Sequence, residues 1–165
     1  RRQMSMVTQT SFMFQGSVNY NVAYGLRMRK MPEKAVQSRV DEVLEMVGMS
    51  AYRDADARTL SGGERQKAAI ARAIAVNPRV LFLDEPTSNI DISSAAEIEK
   101  YIRSINETQN TTIIMVTHNL FQARRLADEV LFIHEGHIIE QGGKTMFEQP
   151  RDQRTSAFLR GETFF

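Results

Sequence analysis

Three short polar segments hold residue types suited to phosphate chemistry. Ser61-Gly62-Gly63-Glu64 heads an Ala-rich stretch. The first amides of a helix have no intrahelical acceptor, and the helix dipole favours an anion there. Two glycines let a phosphate approach the backbone, and Ser61 adds a hydroxyl donor. The same four residues also suit an ordinary N-cap with a flexible turn. Asp84-Glu85 ends an apolar run and precedes Pro86-Thr87. Asp84 can hold a hydrated Mg2+, and Glu85 can polarise a water for attack on a γ-phosphate. The plainer alternative is a solvated turn. Thr117-His118 closes the next apolar run at the equivalent level. A lone His there is more often structural than catalytic. Strand ends that share one rim are, however, where parallel α/β folds bind ligands.

Short apolar runs must carry these segments. Val80–Leu83, Thr112–Val116 and Val130–Ile133 are almost continuously apolar, as strands buried on both faces of a parallel sheet would be. Four segments between and before them read as helices. Over Glu33–Val47, Val36, Val40, Val43 and Val47 form one stripe at helical spacing. Pro32 precedes that helix, and Gly48 stands where a C-cap belongs. Glu64–Val76 is Ala-rich and stops at Asn77-Pro78. Ser93 or Ser94 can cap a helix bearing Ile98, Ile102 and Ile105. Asn119–Ala127 sets Leu120, Ala123, Leu126 and Ala127 on one side. Strand–helix–strand–helix–strand order predicts α/β with right-handed crossovers. Residues 1–59 hold one clear helix and no equally apolar strand, so they are expected to form a separate, mainly helical lobe.

Composition narrows the function classes. The chain has 165 residues, 42% of them hydrophobic and 25% charged, which fits one globular unit rather than a disordered chain. The net charge of +1 gives no basic excess for nucleic acid. Cysteine is absent, which excludes disulfides, thiolate zinc sites and cysteine nucleophiles. No apolar run approaches the roughly 20 residues of a membrane span.

Taken together and in order, these segments resemble the ATP-binding subunits of ABC transporters. Leu60-Ser61-Gly62-Gly63-Glu64-Arg65-Gln66 is similar to the signature motif. Val80 to Glu85 is similar to the Walker B strand with its catalytic glutamate. Ser88-Asn89-Ile90-Asp91 resembles the D-loop, His118 the switch histidine, and Gln9 the Q-loop glutamine. Glu64 replaces a frequent Gln, and Ile90 a frequent Leu. The resemblance implies a P-loop NTPase, RecA-like parallel sheet with helices on both faces and a small helical subdomain. It assigns 1–165 to the ATP-binding domain, with a helical subdomain at 10–60 and a RecA-like portion at 61–165.

It also implies a mechanism and partners. Two subunits would face head to tail, with ATP between the P-loop of one and Ser61, Gly62, Gly63 and Glu64 of the other. Asp84 and Gln9 would arrange Mg2+, Glu85 the attacking water and His118 the γ-phosphate, while Ser88, Asn89 and Asp91 form the D-loop. The homodimer would drive integral-membrane permease subunits at the cytoplasmic face of the bacterial inner membrane, with a solute-binding protein acting indirectly. Phe12, Met13, Phe14, Met28 and Met31 offer either a soft docking surface for a permease helix or packing for the small lobe.

A P-loop needs Gly, four residues, then Gly-Lys-Ser/Thr. The sole Gly-Lys-Thr is Gly143-Lys144-Thr145, and Ile138 stands where the first Gly should be. In the family the P-loop lies before the Q-loop, so the expectation is an N-terminal truncation that leaves this chain inactive alone. A natural relic without a P-loop is the alternative. For the solute, Met4 to Leu26, Gln122 to Asp128 and Arg154 to Leu159 resemble oxyanion importers. Tungstate-type importers come first, then phosphate, molybdate and polar amino-acid importers. Two other readings are a non-catalytic ATPase fragment and a non-transport ABC ATPase. The neutral charge, absent cysteines and lack of a sustained heptad run count against the last.

Overall fold

The computed structural model describes residues 3–162. They form two compact units, one ending at Val116 and one beginning at Thr117.

The first unit is built on a three-stranded parallel sheet in the order β1 (Met4–Val7), β2 (Val80–Asp84), β3 (Thr112–Val116). The register sets Val7 beside Leu83, and Asp84 beside Val116. β1 lies within residues 1–59, which were expected to be mainly helical and to hold no strand as apolar as the other three. Its Met4-Ser5-Met6-Val7 is shorter and less continuously apolar than β2 and β3, with Ser5 in its middle, and pairing with β2 supplies what propensity does not. Burial on both faces is also not met. Leu81 and Leu83 are buried, whereas Met6, Ile114 and Val116 on the opposite face are exposed. A continuous apolar run permits burial on two faces without imposing it.

Helix α1 (Val18–Met28) is an element that the sequence pattern did not single out. Ser17 caps it by accepting from the Tyr20 N–H at 3.1 Å. Its interior Gly25 lowers helix propensity, yet a Cβ there would come within 2.8 Å of Val76. Close packing explains the glycine. α2 (Glu33–Met46) buries the expected stripe of Val36, Val40 and Val43, and Gly48 ends it with φ +65°. α3 (Gly62–Ala75) is the centre of the unit: nine of its 14 residues are buried, and it packs on α1, α2, β1 and α4 (Ile92–Gln109). Small Ala side chains let so many neighbours approach one helix. The last carbonyls of α3 are satisfied from outside. Arg39 donates to Ile74 O at 3.0 Å and to Ala75 O at 3.1 Å, and Arg29 donates to Val76 O at 2.6 Å. Cations at a helix C-terminus also oppose its dipole. α4 buries Ile98, Ile102 and Ile105 and ends at Asn110 in a left-handed conformation.

In the second unit, α5 (Leu120–Leu126) is capped by Asn119, and its buried residue is Gln122 rather than one of the apolar positions. β4 (Val130–His134) was expected to continue the parallel sheet. It pairs antiparallel with β5 (His137–Gly142) in a two-stranded sheet. Glu135 and Gly136, both at positive φ, form the two-residue turn that such a hairpin favours. Helix α6 (Gln153–Leu159) is tied to β4 by stacking of Phe158 on Phe132, with ring centroids 4.9 Å apart.

Candidate functional site

The start of α3 is locally self-satisfied. Ser61 Oγ accepts from the Glu64 N–H at 3.3 Å, and Glu64 Oε2 accepts from the Ser61 N–H at 2.8 Å, a complete capping box. The Tyr52 hydroxyl first, then the Ser61 backbone, hold the Glu64 carboxyl below its ordinary value. The two glycines differ. Gly62 is exposed, with Ile90 and the Asn89 carbonyl as its neighbours. Gly63 is buried, and a Cβ there would meet Ser94 at 2.7–2.8 Å. Gly63 therefore lets the starts of α3 and α4 touch.

The end of β2 is different in kind. Asp84 is the last strand residue, and Glu85 turns into the left-handed region at φ +45°. Its N–H donates to Val116 O at 2.9 Å, and its carbonyl accepts from the Ser88 N–H at 3.1 Å and from the Ser88 hydroxyl at 3.0 Å. Asn89 follows at φ +58°. Asp91, not Ser93 or Ser94, caps α4: its carboxylate accepts from the Ser94 N–H at 2.9 Å. The Ser93 hydroxyl, then the Ser94 N–H, hold the Asp91 carboxyl well below the usual carboxylate range. A carboxylate accepts that N–H as a charged partner at the positive end of the helix dipole.

Gln9 is exposed, two residues beyond β1. The parallel register of β1 and β2 puts Gln9, Asp84 and Glu85 at the same, C-terminal, edge of the sheet. The segment after Gln9 is fastened inward. The Ser11 hydroxyl donates to Gln66 Oε1, and Arg72 donates to Phe12 O at 2.8 Å. Asn21, fully buried, receives the Phe14 N–H at 2.7 Å and donates to Phe14 O at 3.0 Å. Gln66 closes the segment likened to the signature motif and Asn21 lies in the Met4-to-Leu26 stretch likened to oxyanion importers, whereas Arg72 was not singled out from sequence. The one available signal was a charged residue inside Ala71-Arg72-Ala73, where every neighbour is small and buried.

His118 lies in the second unit and is exposed, between Thr117 and the α5 cap Asn119. The Thr117 hydroxyl accepts from the Asn119 N–H at 3.0 Å. Among the described residues no group of three or more His, Asp or Glu side chains gathers as a metal cage. Of the Met- and Phe-rich residues, Phe12 (76% exposed), Met28 (64%), Phe14 and Met31 are all exposed. Packing within the lobe accounts in part for Phe14, whose ring lies 4.6 Å from that of Tyr24, and Met13 is half-buried. No helix among the described residues is long and apolar enough to cross a membrane.

A parallel sheet with a carboxylate pair at its C-terminal edge, and a Ser-Gly-Gly helix start packed on the next loop, form the kind of edge at which α/β folds bind ligands. The ABC transporter family pattern matches residues 1–88. The chain belongs to this family. Its relatives include the sulfate/thiosulfate import ATP-binding protein CysA of Mycobacterium tuberculosis, 36% identical over 144 residues, which cover 87% of this chain and 41% of that protein. The tungstate uptake system ATP-binding protein TupC of Peptoclostridium acidaminophilum is 39% identical, covering 87% of this chain and 67% of that protein. The phosphate import ATP-binding protein PstB 2 of Lactobacillus johnsonii is 41% identical, covering 98% and 66%. Among solved structures, CbiO1 of Clostridium perfringens, part of the ABC transporter complex CbiONQ, has a TM-score of 0.84 at 30% identity, covering 97% of this chain and 64% of that one. This chain thus spans about two fifths of the length of the sulfate/thiosulfate proteins it matches.

Proposed function

We propose that the protein carrying this chain is the ATP-hydrolysing subunit that powers an ABC importer. The observation that carries the reading is the shared edge where Gln9 leaves β1 and Asp84-Glu85 leave β2. In this reading Glu85 accepts a proton from the water that attacks the γ-phosphate. Its left-handed backbone, held by Val116 O and Ser88, fixes where that carboxylate starts. Positioning of this kind, rather than covalent chemistry, is what phosphoryl transfer to water requires. The oxygen donors of Asp84 and Gln9 fit a Mg2+ that keeps most of its waters. When bound, the ion supplies charge neutralisation at the phosphates. Ser61, Gly62, Gly63 and Glu64 serve the nucleotide of the opposite subunit, with Ser88, Asn89 and Asp91 beside them. His118 contacts the γ-phosphate. Residues 10–60 act as the helical subdomain, and 61–165 as the RecA-like portion.

The exposed Phe12, Phe14, Met28 and Met31 suit a permease helix at the cytoplasmic face of the membrane. The solute is an oxyanion of the tungstate class, a reading that relatives acting on tungstate, phosphate and sulfate support. A polar amino acid is the second reading, supported by the amino-acid import ATP-binding protein YxeO of Bacillus subtilis, 38% identical.

The shared site is tested with Ser61→Arg in the complete subunit, by nucleotide titration of the monomer beside ATP-dependent dimerisation in light scattering. Monomer affinity is expected to stay near normal while dimerisation and hydrolysis fail. Normal dimerisation and turnover would reduce the turn to a helix cap. Loss of monomer binding would place the site within one subunit. The 165-residue chain by itself, which carries no P-loop motif, is expected to show negligible Mg2+-dependent turnover.

A further inference from the structure

The turn between α1 and α2 carries two lysines that local structure does not favour. Its backbone is a closed Schellman motif: the Lys30 N–H donates to Arg27 O at 2.8 Å, and the Met31 N–H to Leu26 O at 3.3 Å. That motif needs a left-handed residue just past the helix, and glycine is the usual choice. Here the residue is Lys30, at φ +58°. Lys34 stands in the first turn of α2, where the helix dipole disfavours a cation. Breaches of local preference are expected where function requires them. The other cations of the turn have partners. Arg27 pairs with Glu33 at 2.7 Å, and Arg29 donates to Val76 O at 2.6 Å. Lys30 and Lys34 are exposed and have no hydrogen-bond or ion-pair partner among the described residues. Beside them Met28 is 64% and Met31 37% exposed. From Arg27 to Lys34, Arg27, Arg29, Lys30 and Lys34 stand against the lone anion Glu33, although the whole chain nets only +1. Flexible apolar side chains flanked by ammonium groups are the composition of an interfacial anchor. An acidic protein segment is best matched by the planar fork of arginine, whereas lysine meets a phosphate as a point charge. The two unpaired cations are both lysines.

We propose that the turn from Met28 to Lys34 docks on an anionic lipid surface, with Met28 and Met31 at the headgroup boundary and Lys30 and Lys34 on the lipid phosphates. The charge of the turn is complementary to such a surface, and the strain at Lys30 is retained because a glycine there would carry no charge. The inference does not rest on the ATPase reading, since it concerns this turn alone. At a membrane the turn adjoins the surface offered to a permease helix: Phe12 and Phe14 face that helix, and Met28 and Met31 lie where it meets the surrounding lipid.

The test floats the complete subunit, without permease or nucleotide, with vesicles of phosphatidylcholine alone or of equal parts phosphatidylcholine and phosphatidylglycerol. Binding is expected to the anionic vesicles only, and it should weaken as salt rises beyond roughly 0.1 M, where screening acts within about 10 Å. Lys30→Gln and Lys34→Gln should each weaken it about fivefold. Met28→Ser combined with Met31→Ser should weaken it by roughly tenfold. Lys30→Gly relieves the backbone while removing the charge. It should raise the melting temperature yet still weaken vesicle binding about fivefold, so that loss of binding is separated from loss of fold. Equal binding to neutral and anionic vesicles would overturn the proposal. So would salt-sensitive binding that none of these substitutions changes, because the charge of the whole protein would then be responsible. Failure to bind vesicles, with Lys30→Gln impairing assembly with the permease instead, would assign the turn to a protein partner and overturn the lipid assignment. Vesicle binding by a complete subunit that hydrolyses no ATP would sink the ATPase reading and leave this inference standing.

Discussion

The start of α3 and the end of β2 are built in opposite ways. At Ser61-Glu64 the local donors find local acceptors in a closed capping box, and the helix needs no ligand to be complete. At Glu85-Asn89 two non-glycine residues sit at φ +45° and +58°, a region that costs an L-residue roughly 1–2 kcal/mol. The first region resembles a structural device that a ligand can borrow. The second is strain held in place by neighbours, the pattern expected where chemistry constrains the backbone. Substitutions that disturb the cap or the packing of the helix start should therefore register in stability whatever they do to dimerisation, and those at the strand end mainly in turnover.

The largest effect should come from Glu85→Gln in the complete subunit. Hydrolysis should slow by about 10²–10⁴-fold, the usual contribution of a general base, with ATP binding and melting temperature little changed. Steady-state turnover beside nucleotide titration checks this, and unchanged turnover would make Glu85 a turn residue and erase the contrast. Next comes Gly63→Ala. The new Cβ collides with Ser94, and overpacking of this kind costs about 1–3 kcal/mol in thermal or denaturant unfolding. Adding Ser94→Gly should recover most of that loss. If Gly63→Ala is neutral alone, the close approach of α3 and α4 is not what requires glycine.

Glu85→Gly sharpens the comparison from the other side. It should abolish turnover yet raise unfolding stability by about 0.5–1 kcal/mol, since glycine accepts positive φ without penalty and gives part of that back as chain entropy. A loss of stability instead would mean the Glu85 side chain holds more than its backbone costs. The smallest effect concerns Glu64. Its folded value is depressed, so the carboxylate adds stability above the ordinary glutamate range, and that contribution is lost as pH falls through the folded value. Glu64→Gln should flatten the fall in melting temperature between about pH 7 and about pH 3, most of which stems from other carboxylates. An identical slope in both proteins would show that the Tyr52 and Ser61 partners contribute nothing measurable.

Much of this was readable from residues alone where the signal is local. The Val36–Val40–Val43 stripe, the Ala-rich run after Ser61 and the apolar runs of β2 and β3 carry their own period or composition, and each became the expected element. What needed the fold was information held by distant partners. β1 is a strand because β2 lies beside it, and α1 tolerates Gly25 because Val76 presses on it. β5, with His137, Glu140 and Gln141, is paired by a tight turn rather than by apolar character. Asp91 caps α4 because the helix begins at Ile92, which puts Ser93 and Ser94 inside its first turn. At the candidate site, residue types pointed to Asp84, Glu85 and the Ser-Gly-Gly turn, but the positive φ of Glu85 and the grip of Arg72 on Phe12 join residues that sequence order separates.

Because Arg39 and Arg29 clasp the carbonyls at the end of α3, and Gly63 seats its head against Ser94 of α4, that helix is held at both ends. At 14 residues it is roughly 21 Å long, so a rigid tilt of about 10° about its Val76 end would swing Ser61 by about 4 Å, more than the length of a hydrogen bond. Setting Ser61 to within the reach of a hydrogen bond therefore takes the contacts at both ends at once.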